Sequence, residues 1–149
     1  MGQEAGSNLR MTSVTVFPRL TSQNHRVTSP PSTSYNCIAW AADDTERWWW
    51  PGAGVYWPAG VREEETLDAF EQVYASLGYE RCDNGDVEDG FEKIAIYEQG
   101  LVPTHAARQL PNGRWTSKLG ALEDVEHPID ELRVVGYGNP SRYMKRKRG

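Results

Sequence analysis

The pair Asn112-Gly113 constrains the fold of this 149-residue chain more than any other feature. An Asn-Gly pair readily adopts the positive φ angles of a tight hairpin turn. Runs with strand-like composition flank it at residues 105–110 and 114–118, and a third such run precedes them at residues 91–97. We therefore predict antiparallel β-structure in the second half of the chain.

The first half of the chain shows helical patterns instead. Residues 65–77 carry an apolar stripe at helical spacing, and Gly78 follows as a C-terminal cap. A shorter helix is predicted over residues 36–47, capped by Ser34 or Asn36. Helices followed by antiparallel strands indicate an α+β fold, in which N-terminal helices pack on a small antiparallel sheet.

The composition is that of one soluble globular domain, with 38% apolar and 25% charged residues. We predict a flexible N-terminal segment at residues 1–13, a single domain at residues 14–143 and a disordered basic tail at residues 144–149. The tail contains Lys145-Arg146-Lys147-Arg148, whose four cations could contact an acidic partner or phosphates.

Charge and cysteine content narrow the classes of function. The net charge of −5 gives no support for nucleic-acid binding, and no apolar run reaches the length of a membrane span. No spacing of cysteine and histidine suggests a metal site, so we expect no cofactor and no metal. Two cysteines do not make a disulfide scaffold, and a reducing cytoplasm is the simplest location.

Cys37 and His105 are the candidate catalytic pair. Cys37 lies at the start of the first predicted helix, where the helix dipole would lower the pKa of its thiol. His105 begins a predicted strand and would serve as the base, while amides at the helix start would stabilise an oxyanion. In the alternative interpretation, Cys37 is a small buried apolar residue and His105 a polar residue at a strand end.

A third catalytic residue depends on the register of the hairpin. A tight turn would place Thr116 and Lys118 on the same face as His105, whereas one bulged residue would place Ser117 there instead. Thr116 and Ser117 therefore both remain candidates for orienting the imidazole. His127 is a further candidate, as a base or as a partner of the base, if the chain after the hairpin folds back over the site.

An aromatic loop after the first helix is the candidate substrate-binding region. Its aromatic members are Trp48, Trp49, Trp50, Tyr56 and Trp57. We assign Trp49, Trp50 and Trp57, together with Asn36, as candidate substrate-binding residues that wall a cleft beside the cysteine, stack on sugar rings or hold a proline-rich peptide. In the alternative, the aromatic side chains form hydrophobic core over the first helix.

Four short strings carry a resemblance to known families. They are YNCIAWA at residues 35–41, WWWP at 48–51, THAAR at 104–108 and WTSKLG at 115–120. Over about residues 17–140 they resemble a bacterial domain family of unassigned function. Over residues 37–118, the helix at a cysteine, the strand at a histidine and the hairpin resemble the papain-like cysteine peptidase superfold, closest to its bacterial cell-wall endopeptidase branch.

This resemblance implies a papain-like fold and Cys-His chemistry, with a third polar residue on the strand after the histidine. The chain departs from that branch in two places. Asn36 and Ile38 flank the cysteine where Asp or Ser is common, and Ser117 stands where His, Asn or Asp is usual.

Two functions are therefore expected as alternatives. The first is a cysteine-dependent hydrolase or amide-transferring enzyme, namely a peptidase, isopeptidase or deamidase, that acts on a peptide or protein substrate. The second is a non-catalytic module on a papain-like scaffold that binds a protein partner, as part of a bacterial toxin or defence system. In the second case Cys37 is unreactive and the aromatic loop and basic tail make the contacts.

Overall fold

A computed structural model describes residues 26–29, 33–118, 124–127 and 138–148 of the chain. These residues form a seven-stranded sheet and two short helices. The helices are α1 (Cys37–Ala41) and α2 (Leu67–Ala75). The strands are β1 (Arg26–Ser29), β2 (Glu80–Cys82), β3 (Phe91–Gln99), β4 (Val102–Gln109), β5 (Trp115–Lys118), β6 (Asp124–His127) and β7 (Asn139–Lys147).

The strands are arranged in the order β1-β6-β5-β4-β3-β7-β2, and each neighbouring pair is antiparallel. One face of the sheet packs against both helices and forms the core. Its buried members include Ile38, Phe70, Val73, Tyr74, Ile94, Ile96, Ala106 and Met144. The structure thus confirms the α+β class, with most of the regular structure in strands. Within the described residues, neither helix is long and apolar enough to cross a membrane.

Helix α1 is shorter than the predicted helix at residues 36–47 because the backbone turns after Ala42. Asp43 has φ 65°, a left-handed conformation that ends an α-helix. The Tyr74 hydroxyl of α2 donates a hydrogen bond of 2.9 Å to the Ile38 carbonyl and so joins the two helices. Thr66 caps α2 by accepting from the Ala69 amide, and the helix ends two residues before the predicted position.

The hairpin between β4 and β5 has the bulged register. Arg108 pairs with Thr116, and the Leu110 amide donates to the Arg114 carbonyl. Residues 111–113 form the connection, with Gly113 at φ 89°, so the loop has three residues rather than two. In this register Ser117, rather than Thr116, lies on the same face of the sheet as His105.

The predicted disordered basic tail is wrong for residues 144–147, which belong to strand β7. Lys145 donates to Glu88 at 2.7 Å and Arg146 donates to Glu92 at 2.8 Å. Glu88 and Glu92 are distant from Lys145 and Arg146 in sequence, so the sequence alone does not show that these two cations have partners. The domain therefore continues through Lys147. The predicted N-terminal segment at residues 1–13 lies outside the described residues.

Candidate functional site

An uncharged groove opens where the start of α1, the aromatic loop and β4 meet. Its volume is about 440 Å³. The lining residues are Asn36, Cys37, Trp48, Trp50, Ala53, Val55 and Thr104. We call this the aromatic groove. Its size is within the range of small-ligand sites, about 300–1,000 Å³.

Asn36 lines the groove, but its side chain is engaged by the backbone. Its Oδ1 accepts from the Ala39 amide at 3.2 Å, which caps α1, and from the Trp49 amide at 3.1 Å. Its Nδ2 donates to the Trp49 carbonyl at 2.7 Å. Both acceptor positions of the amide oxygen are filled. Asn36 therefore fastens the aromatic loop to the helix start.

Cys37 lies at the bottom of the groove with 6% of its surface exposed. Burial raises the pKa of its thiol to about 11, although the backbone N–H groups of Ala106 and Ile38 lower that pKa in part. The sequence predicts a lowered pKa from the helix dipole. The structure reverses the direction because the cost of burying a thiolate exceeds the benefit of the nearby amides.

His105 lies on the opposite face of the sheet from Cys37. Ala106, the next residue along β4, belongs to the core under the helices, and side chains alternate between faces along a strand. The imidazole is fully buried and meets the Tyr97 ring edge-on at 5.1 Å. Cys37 and His105, predicted as a catalytic pair, are therefore separated by the sheet.

Ser117 and His127 join His105 in a buried polar cluster. The Ser117 Oγ lies 2.9 Å from His105 Nε2 and 2.7 Å from His127 Nε2. A hydroxyl carries one proton, so Ser117 donates to one imidazole and accepts from the other when both are neutral. Burial, and then the neighbouring His127, lower the pKa of His105 well below its usual value. Burial in this cluster thus favours the neutral form of the His105 imidazole.

Thr116, the other candidate for orienting His105, lies on the helical face of the sheet. Its Oγ1 accepts a hydrogen bond of 3.2 Å from the indole N–H of Trp40. Lys118 shares this face, with its buried Nζ 5.2 Å from the centre of the Tyr35 ring. Thr116 is therefore remote from the imidazole in the observed register.

The tryptophans of the aromatic loop divide between groove and core. Trp50 lines the groove and packs edge-on against Phe70. Trp49 is buried and donates to Asp44 at 2.9 Å, away from the groove. Trp57 also packs on Phe70 and does not line the groove.

Trp48 is a groove residue that the sequence assignment omitted. It does not belong to the hydrophobic core, whereas Trp50 packs against that core. Trp49 makes an isolated β-bridge with Tyr56, so the local backbone is extended. In an extended segment, residues 48 and 50 face one side and residue 49 the other. Treating WWWP as a strand-like alternation would have identified Trp48.

Comparison with known families finds a match to a family profile. The profile of a domain of unknown function, DUF7689, covers residues 26–145. No curated protein and no solved structure shows a significant match to the chain. Among the described residues, no group of three histidine, cysteine or carboxylate side chains is placed to hold a metal ion.

Proposed function

The chain belongs to this family of unknown function, and we propose that it acts as a non-catalytic module that binds an apolar segment of a protein partner in the aromatic groove. The observation that carries the proposal is the combination of an uncharged, tryptophan-lined groove with a buried thiol of raised pKa at its base. A cysteine nucleophile needs the thiolate, which this environment disfavours.

The chemistry of the groove selects an apolar occupant. All of its lining side chains are uncharged, and both acceptor positions of the Asn36 amide oxygen are occupied by backbone donors. Trp48 and Trp50 offer large aromatic surfaces, which contribute strongly when an apolar group covers them. Sugars, which need several polar partners, fit this lining less well than aliphatic or aromatic side chains.

The size of the groove favours a short segment over a folded partner. Stable interfaces between folded proteins take about 20–30 residues on each side. The groove is lined by seven residues. An extended peptide that inserts one or two apolar side chains matches this footprint.

We also propose a papain-like scaffold for the domain. A cysteine begins α1, and α1 packs on the antiparallel sheet. Such a scaffold does not by itself imply catalysis. The separation of Cys37 from His105 by the sheet supports a binding role for the groove.

Replacing Trp48 with alanine is expected to weaken peptide binding about tenfold, because it removes one aromatic wall of the groove. Random peptides displayed on phage are selected against the wild-type protein. The best peptide is then synthesised, and its affinity is measured by tryptophan fluorescence. Trp57→Phe is the matched control, because Trp57 packs on Phe70 outside the groove. Equal affinity of wild-type protein and Trp48→Ala would contradict the proposal.

A cysteine hydrolase or amide-transferring enzyme is a second candidate, favoured by one observation: Cys37 reaches the groove. This function would require a base other than the imidazole of His105 as the structure places it. A substrate amide would enter the groove over Trp48 and Trp50. The reactivity of the thiol distinguishes this candidate from the binding module.

Cys37 is expected to react with iodoacetamide at least about tenfold more slowly than Cys82 near neutral pH, since burial raises its pKa and restricts access. Its rate should keep rising as the pH approaches 11, the value to which the pKa is raised. Mass spectrometry of both alkylated cysteines in one sample measures the two rates. A Cys37 that reacts faster than Cys82 below neutral pH would favour the hydrolase.

A further inference from the structure

We propose that the aromatic groove takes a proline-rich segment of the partner, with prolines at the positions that enter the groove. This inference rests on the proposed function and narrows the apolar segment to one chemical class. It follows from the hydrogen-bonding groups of the lining side chains, which are mainly donors, and from the uncharged character of that lining.

The two tryptophans of the groove provide the donors. Trp57, which packs outside the groove, donates its indole N–H to the Arg62 carbonyl at 2.9 Å. Within the described part of the chain, the indole N–H groups of Trp48 and Trp50 donate to no protein acceptor, and both residues are only partly buried. An indole donates a hydrogen bond and accepts none. The groove therefore offers two donors to the carbonyl groups of a ligand.

Acceptors are scarce among the same side chains. Backbone N–H groups fill both acceptor positions of the Asn36 amide oxygen, and the side chains of Ala53 and Val55 have no polar atom. The Thr104 hydroxyl and the Cys37 thiol can accept, but a thiol is a weak acceptor. A peptide N–H group that enters the groove thus loses its water and finds few side-chain acceptors, which weakens binding.

Proline satisfies both requirements of the groove. It has no backbone N–H to leave unpaired, and its carbonyl can accept from Trp48 or Trp50. Its ring is apolar and uncharged, which suits an uncharged lining with two aromatic walls. Proline-rich segments are also extended before they bind, so they lose less conformational entropy on binding. Aromatic-lined grooves are a recurring site for such segments.

Three capped hexapeptides test the inference: hexaproline, the hexamer of N-methylalanine and hexa-alanine. N-methylalanine lacks the backbone N–H, as proline does, but it has no ring. Hexaproline should bind at least about tenfold more tightly than hexa-alanine, and the N-methylalanine hexamer should bind within about threefold of hexaproline. Tryptophan fluorescence of the full-length protein measures the three affinities. Equal affinities for the alanine and N-methylalanine peptides would overturn the inference.

Trp48→Phe tests the donor side of the same argument, because it retains an aromatic ring and removes the indole N–H. It should weaken hexaproline binding about fivefold, the effect of losing one hydrogen bond. Trp57→Phe is the matched control and should leave the affinity unchanged, since Trp57 packs on Phe70 outside the groove. An unchanged affinity in Trp48→Phe would contradict the role of the indole as a donor.

The peptide selected on phage separates this inference from the proposed function. If Trp48→Ala weakens binding of that peptide and hexaproline does not bind, the groove stands as a site and the proline class is wrong. If neither peptide depends on Trp48, both proposals are wrong. If both peptides depend on Trp48, and hexaproline displaces the selected peptide, both proposals are supported.

Discussion

Replacing Asn36 with alanine is expected to lower the free energy of unfolding by about 3 to 5 kcal/mol. The substitution removes the cap of α1 and both hydrogen bonds to the Trp49 backbone at once. The Trp49 amide and carbonyl then lie in a buried region without the partner that replaces water. Urea denaturation followed by circular dichroism measures the loss.

Thr66→Ala provides the matched control for this prediction. Thr66 caps α2 through one hydrogen bond to the Ala69 amide, and it does not bridge to a distant segment. Its replacement should cost about 1 kcal/mol, the usual value for a cap. If Asn36→Ala costs no more than Thr66→Ala, the bonds to Trp49 do not fasten the aromatic loop as we describe.

The protein is also expected to lose unfolding free energy as the pH falls from 6.5, the ordinary pKa of histidine, to about 5. Burial lowers the pKa of His105 in the folded state, so the unfolded state binds the proton first. Stability is therefore complete above the ordinary pKa and decreases as the pH falls below it. A charged His105 would also face His127 across the Ser117 hydroxyl.

Urea denaturation at a series of pH values checks this dependence. His105→Gln should flatten the slope, because glutamine can bond Ser117 without titrating. Asp44, Asp68 and Glu88 have pKa values lowered from 3.8 or 4.5 and so titrate below this window. An identical acid slope in wild-type protein and His105→Gln would show that another group causes the loss.

Patterns among neighbouring residues were sufficient to predict helix α2 and strands β3 to β5. Helix α2 has an apolar stripe and a cap, and β3 to β5 have strand-like runs around a turn. Strand β7 was missed because its charges are satisfied by Glu88 and Glu92, which only the folded sheet brings near. The predicted helix at residues 36–47 extends beyond the observed end of α1. Asp43 ends the helix by adopting a left-handed conformation, which aspartate tolerates, but an aspartate in the sequence is not a strong signal for a helix end.

The candidate site was predictable only in part for a similar reason. Register reasoning gave Ser117 as one of two alternatives beside His105, and the structure places it there at 2.9 Å. Alternation along β4 tells which residues share a face, but not which face the helices cover. That choice depends on long-range packing of Ile38 and Phe70 on Ala106, and it separates Cys37 from the imidazole.

The position of β7 has a consequence for the order in which the domain assembles. Among the described strands β2 pairs with β7 alone, although 56 residues are synthesised between them. During translation, β3 and β4 can pair as a hairpin at once, while β2 has no neighbour to hydrogen-bond until β7 leaves the ribosome. Strand β2 therefore pairs late in synthesis. We expect a nascent chain stalled before residue 139 to remain protease-sensitive at residues 80–82.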